Sequence, residues 1–80
     1  MKFTQYFLHM RQRPDRAIIQ MGWIEETIIN PEYTQIQSDG RIRKWRKIKD
    51  QGKFLRIILL EDGETVHNAF FDRTFKGGPK

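Results

Sequence analysis

The chain has 80 residues, with 15 lysines and arginines against 10 aspartates and glutamates, and it contains no cysteine. Independent domains typically have about 100 residues, so this length predicts a single domain. The lack of cysteine excludes a disulfide framework, a thiolate nucleophile and a Cys-ligated metal site. No apolar run reaches the roughly 20 residues that cross a bilayer, so we expect a cytoplasmic protein that does not contact a membrane.

The first predicted element is a helix near the N-terminus. Phe3, Phe7 and Met10 recur at steps of four and three residues, as on one face of a helix, and Thr4 is a suitable N-cap. Pro14 cannot donate a hydrogen bond inside a helix, so we expect it either to break the helix or to occupy a first helical turn.

A second helix is predicted between the prolines at positions 14 and 31. Ile24 and Ile28 repeat at a step of four residues, which is the spacing of one helical face. Asn30 followed by Pro31 is a typical stop signal, so we expect this helix to end there.

The rest of the chain has the pattern of a β-meander. Glycine-containing turns, of which Asp39 followed by Gly40 is the strongest, separate short runs rich in β-branched and aromatic residues. These runs are residues 33–38, 41–48, 54–60 and 65–71. The sequence thus predicts an α+β fold in which two N-terminal helices pack on a four-stranded antiparallel β-meander. We expect residues 1–76 to form the domain and residues 77–80 to form a flexible tail.

The positive charge is concentrated in one segment. Residues 41–56 contain eight basic residues and one acidic residue, Asp50, whereas the segments before and after it are slightly acidic. A local excess of this kind is a candidate surface for RNA or another polyanion.

The strand at residues 41–48 combines these cations with an indole ring. Strand alternation places Trp45 on the same face as three of the cations. Cations bind phosphates, and a flat ring stacks on an unpaired base. The alternative is a solvated hairpin whose Trp45 packs under the helices and whose charges only discourage edge-to-edge aggregation. The candidate nucleic-acid-binding residues are Arg41, Arg43, Lys44, Trp45, Arg46 and Lys47.

The last predicted strand carries a candidate for acid–base chemistry. His67 titrates near neutrality, and Arg56 and Arg73 are cations that could stabilise a phosphorane-like charge. Together they would suffice to cleave RNA by attack of the 2′-hydroxyl on the adjacent phosphate. The alternatives are a hydrogen-bonded structural histidine and an Asp72 and Arg73 that simply pair with each other or cap the chain end. Alternation predicts that His67 and Ala69 share one face of this strand and Val66 the other.

Other kinds of site have no support in the sequence. There is no glycine-rich phosphate-binding pattern, so we expect no nucleotide cofactor. His9 and His67 are too few to ligate a metal without carboxylate help, and no metal-binding spacing is present. We therefore expect neither a cofactor nor a metal.

Several short motifs recur together in families that have this order of elements. They lie between Tyr6 and Phe75 and comprise His9, Arg13, Ile19, Asn30 with Pro31, Asp39 with Gly40 and Arg41, residues 55–60 and Val66. With them the chain resembles the small bacterial toxins of the RelE and BrnT type, and more closely a family of small bacterial, cyanobacterial-type domains related to those toxins. The stretches at residues 13–18, 23–25 and 67–73 also resemble those of small cyanobacterial proteins of unassigned role.

This resemblance implies a function. The toxins are endoribonucleases, usually paired with an antitoxin, and their catalytic residues lie mainly on the sheet and at its C-terminal end. Carried over by position, it implies roles for Arg41, Arg56, His67 and Arg73, with His9 as a helix contribution. Three hypotheses follow: a toxin-like endoribonuclease, a non-catalytic nucleic-acid-binding module, and a protein-interaction module whose partner is acidic, as antitoxins often are.

Overall fold

The computed structural model describes residues 1–77, which form a five-stranded sheet and three short helices. The strands are β1 (Lys2–Phe3), β2 (Tyr33–Ile36), β3 (Ile42–Ile48), β4 (Lys53–Leu59) and β5 (Thr65–Phe71), in the spatial order β1-β5-β4-β3-β2. The last four pair antiparallel with one another, whereas β1 pairs parallel to β5. The α+β class is confirmed, but the sheet is mixed and five-stranded rather than the four-stranded antiparallel sheet that the sequence predicted.

The extra strand forms where the sequence predicted the start of a helix. Lys2 and Phe3 pair with Thr65 and Val66 at the edge of the sheet. The spacing of Phe3 from Phe7 remains useful to the fold, because their rings stack with centroids 5.2 Å apart. Pairing to a strand that lies more than 60 residues away leaves no local signal in the sequence.

Three helices replace the two that were predicted: α1 (Gln5–Met10), α2 (Pro14–Ala17) and α3 (Met21–Ile29). Thr4 caps α1 as predicted, since its Oγ1 accepts a hydrogen bond from the backbone N–H of Phe7 at 3.0 Å. Of the two roles predicted for Pro14, the structure shows the first-turn position: Pro14 begins α2, where a missing N–H costs nothing.

The hydrophobic core lies on one face of the sheet, under α1 and α3. Its β4 residues alternate along the strand, and Leu55, Ile57 and Leu59 are fully buried. The whole cluster comprises Phe7, Ile19, Ile24, Ile48, Leu55, Ile57, Leu59, Val66 and Ala69. Because side chains alternate, the opposite face of the sheet carries the remaining residues of β3 and β4, and we call it the open face.

A bulge in β5 changes the predicted faces of that strand. Ile58 pairs with Asn68 and Leu59 with Val66, so His67 is the extra residue without a partner. Val66 and Ala69 consequently point into the same core, although simple alternation predicted opposite faces.

The predicted domain limits stay a prediction, and the predicted tail, residues 77–80, lies outside the described residues except for Gly77. Within residues 1–77, no helix combines the length and the apolar character needed to cross a membrane.

Candidate nucleic-acid interface

Two of the predicted nucleic-acid-binding residues instead bind the end of a helix. Lys44 and Arg46 are on the face of β3 that the helices cover. Lys44 Nζ donates to the carbonyl oxygen of Ile28 at 2.9 Å, and Arg46 Nη1 donates to that of Asn30 at 2.8 Å. Arg46 Nη2 also lies 3.7 Å from the carboxylate of Glu26. Both cations thus satisfy carbonyls at the C-terminus of α3, where positive charge is favourable.

Arg41 and Arg43 also have partners within the fold. Arg41 Nε lies 3.7 Å from Oδ2 of Asp39, in the preceding turn. Arg43 Nη1 donates to Oε1 of Gln35 on the neighbouring strand at 3.2 Å. The carboxylate of Asp39 partly offsets the charge of Arg41, although both side chains are exposed to water, whereas the neutral amide of Gln35 orients Arg43 without neutralising it.

Trp45 is buried, but not under the helices. It lies on the open face, is 4% exposed, and its Nε1 donates to Oδ2 of Asp72 at 3.0 Å. The ring of Phe75, from the segment that follows β5, stacks on it with centroids 4.6 Å apart and planes 9° apart. In this conformation the indole is not available to an external base.

Arg56 and Asp72 form the polar centre of the open face. Arg56 lies between two rings, 5.6 Å from the Trp45 centroid and 5.2 Å from that of Phe70, and its Nη1 is 3.4 Å from Oδ2 of Asp72. Burial alone would raise the pKa of Asp72, but hydrogen bonds from Trp45 and Thr74 and the charge of Arg56 outweigh it and lower that pKa. Arg56 is therefore already neutralised by an ionised partner.

His67 contacts the beginning of the chain. Its Nδ1 lies 3.1 Å from Oγ1 of Thr4, and the ring of Tyr6 stacks on it with centroids 4.8 Å apart. Because Thr4 Oγ1 already accepts from the backbone of Phe7, its hydroxyl hydrogen is free to be donated to a neutral imidazole. Burial, and to a lesser extent the charge of Arg41, lowers the pKa of His67, which also favours the neutral ring.

The three residues predicted to be catalytic do not converge. His67 lies near the start of β5 and Arg73 follows its end. Since a strand rises about 3.3 Å per residue, the Cα atoms of His67 and Phe71 alone are separated by roughly 13 Å. Arg56 lies between them along the sheet and is paired with Asp72. A general base and two cations around one phosphate would need all three side chains within a few ångströms of it.

Several exposed cations lie at the end of the sheet where β3 and β5 end and β4 begins. Register places Lys47 beside Phe54 and Lys53 beside Ile48, and the backbone of Asp72 bonds to that of Phe54. Within residues 1–77, none of these cations makes an ion pair or a side-chain hydrogen bond. We call this set the basic end; its members are Lys47, Lys49, Lys53, Arg73 and Lys76.

Two grooves meet at the basic end, and both are lined by Lys53, Phe71 and Arg73. One, with a volume of about 410 Å³, extends to α2 and is bounded there by Arg16. The other, of about 250 Å³, extends to Phe75. Lys53 Nζ lies 5.5 Å from the Phe71 ring centroid. Each groove also contains one carboxylate, Asp15 in the first and Asp72 in the second, and both are paired with arginines. The remaining lining combines aromatic walls with cations, a composition that suits phosphates joined to flat bases.

Of the basic end, the sequence pattern predicts a role only for Lys47, in nucleic-acid binding, and for Arg73, in catalysis. Lys49 and Lys53 belong to the basic segment, but nothing in the sequence distinguishes them from its other cations. Charge counting alone cannot find the set, because the turn after β3 meets the segment after β5 only through the sheet.

Within the described residues, no three histidine or acidic side chains are arranged to hold a metal ion. Comparison of the chain with protein-family models, with curated proteins and with solved structures found no significant match in any of the three.

Proposed function

We propose that this protein binds single-stranded RNA through its basic end. The observation that carries the proposal is the cluster of five exposed cations around grooves with aromatic walls, with no carboxylate paired to them in residues 1–77. Cations on a rigid scaffold bind the phosphate backbone, and ring faces accept unpaired bases without requiring a particular sequence.

Single strands suit this surface better than a duplex. The longest helix, α3, has nine residues, and its exposed side chains include Glu25 and Glu26, which would be repelled by the phosphates on both sides of a groove. The basic end is made of strand ends and turns, which can follow a flexible backbone.

Binding without cleavage is the form of the proposal that the geometry favours. His67 and Arg56 are each bonded within the fold, and Arg73 lies at the other end of β5 from His67. A relationship to the RelE and BrnT toxins is part of the proposal at the level of architecture. It is supported by N-terminal helices packed on four consecutive antiparallel strands. Such a relationship would describe a toxin-like scaffold that binds RNA.

The test is a titration of fluorescein-labelled oligouridine, read by anisotropy at several salt concentrations. The double variant Lys53→Ala/Arg73→Ala should bind more weakly. Its slope of log K against log salt should be smaller in magnitude by about 1.4, since each phosphate that a cation neutralises contributes about 0.7. The matched control is Lys2→Ala/Arg41→Ala, which removes equal charge from the opposite end of the sheet and should retain affinity.

Four results would contradict the proposal. Absence of binding at low salt would refute RNA binding. Equal losses of affinity in the two double variants would show that RNA does not bind specifically at the basic end. Cleavage of the oligonucleotide that His67→Ala abolishes would establish the endoribonuclease hypothesis instead. Weak RNA binding together with co-purification of a small acidic protein would favour the protein-interaction hypothesis.

A further inference from the structure

Phe75 occupies a box of aromatic rings on the open face. Its ring stacks on Trp45, lies 25° from the plane of Tyr33 at 5.8 Å, and meets Phe54 edge-on at 4.9 Å. Tyr33 and Trp45 are also in contact, with centroids 5.4 Å apart. We call Tyr33, Trp45 and Phe54 the aromatic box.

Within residues 1–77, the segment that carries Phe75 is anchored by hydrogen bonds on its N-terminal side. Asp72 is fixed by a backbone hydrogen bond to Phe54 and by the contacts of its carboxylate, and Thr74 donates to Oδ1 of Asp72 from both N and Oγ1. From Phe75 to Gly77 the described residues make no further hydrogen bond. Among the described residues, Phe75 is held in the box by ring packing.

We propose that the aromatic box is a binding site for an unpaired nucleobase, and that Phe75 fills it while the protein is free. This inference rests on the proposed RNA-binding function and adds to it the position of one base. Two parallel rings about 4.6 Å apart have the geometry of an offset stack, which a purine or pyrimidine can adopt on the same indole.

The box is prepared for such a ligand. Trp45 is held by its hydrogen bond to Asp72 and by Arg56, so its ring would keep its orientation when Phe75 leaves. Phe75 is not part of the hydrophobic core, which lies on the opposite face of the sheet. Its departure would expose the box without opening the core.

Cations of the basic end lie beside residues of the box in register or in sequence, where phosphates of the bound nucleotide would lie. Lys47 is the register partner of Phe54, and Lys76 and Arg73 lie on either side of Phe75 in the chain. A strand whose base entered the box would therefore keep the phosphate interactions that the proposed function requires.

Competition by Phe75 has a measurable consequence. When a ligand binds only the open form, its apparent affinity is reduced by the fraction of protein that is open. Removing the competing ring should thus tighten binding of oligouridine, and we expect at least about a ten-fold gain for Phe75→Ala. Phe75→Leu, which fills the box with a side chain that stacks poorly, should fall between that variant and the unmodified chain.

The experiment uses the full chain with Trp23→Phe, so that Trp45 is the only tryptophan. The folding of each variant is first checked by circular dichroism. Oligouridine should quench Trp45 as it binds. A second ligand, the same oligonucleotide with abasic sites, keeps the phosphates but has no base. The unmodified chain should bind it about ten-fold more weakly than oligouridine, and this measurement does not depend on any variant's folding.

Each outcome decides between the alternatives. Tighter binding by a folded Phe75→Ala variant, with quenching of Trp45 and a preference for intact bases, supports the inference. Equal affinity for intact and abasic strands would overturn it while leaving phosphate binding by the basic end in place. Absence of binding to either ligand at low salt would refute the proposed function itself.

Discussion

Asp72 bonds to Trp45, Arg56 and Thr74 on the open face, so its replacement is a sharp test of the structure. Asp72→Asn keeps the shape of the side chain but removes its charge. The carboxylate is 8% exposed and the Arg56 side chain is 20% exposed, so water can replace little of the interaction that the variant removes. The same carboxylate also accepts from Trp45 and from Thr74.

The expected loss of stability follows from these interactions. Removing one partner of a buried ion pair costs about 3–5 kcal/mol, and because Asn still accepts one hydrogen bond and Arg56 keeps some contact with water, we expect about 2–3 kcal/mol here. Urea unfolding followed by circular dichroism measures this free energy.

Two further measurements test whether the buried ion pair causes this loss of stability. Asp62→Asn is the matched control: Asp62 also accepts three hydrogen bonds, led by that from the Thr65 side chain, which lower its pKa to about 2, but it lies in an exposed turn. Its replacement should cost clearly less. Arg56→Met, combined with Asp72→Asn in a double-mutant cycle, should show a coupling of about 1 kcal/mol or more. Equal destabilisation by the two aspartate variants, or additive effects in the cycle, would refute the account of a buried pair.

Other variants test the remaining parts of the structure. Lys44→Met should lower the free energy of unfolding by about 1 kcal/mol, because it removes a charged donor from the C-terminus of α3, whereas its RNA affinity should not change. Lys47→Met should instead weaken RNA binding and leave the free energy of unfolding unchanged. Identical behaviour of the two variants would contradict their assignment to different faces. Ile57→Ala should cost about 2–5 kcal/mol in urea unfolding, since its side chain is fully buried, and a cost below about 1 kcal/mol would mean that the core lies elsewhere. For His67, the pKa is lowered in the folded state, so the unfolded chain binds the proton more tightly and stability should fall as the pH drops below about 6.5. The free energy of unfolding of His67→Gln should depend less on pH between about pH 7.5 and 5.5. If its pH dependence is unchanged, His67 is not the group responsible for the loss of stability at low pH.

The local signals in the sequence located most elements. Alternation and turn residues predicted the strands now called β2 to β5 to within one or two residues. Gly40 adopts φ +90° in the predicted turn, a conformation that few other residues tolerate. Thr4 caps α1 as expected because capping depends only on residues three positions apart.

The same signals could not assign partners to the charged residues. Eight cations in a sixteen-residue segment predicted a binding strand at residues 41–47, but Lys44 and Arg46 bind carbonyls at the end of α3, and Trp45 is covered by Phe75. These interactions join residues that lie 16 to 30 positions apart. No spacing rule within a single strand contains that information.

By itself, the sequence determined the α+β class, the position of the meander and the segment that holds the excess charge, because each depends on patterns a few residues long. Only the tertiary structure decided which sheet face the helices cover, where β1 pairs, and which cations at the basic end have no carboxylate partner within residues 1–77. The physical reason is that an ion pair or a stacked ring is stabilised by whatever residue the fold brings within a few ångströms, however distant that residue is along the chain.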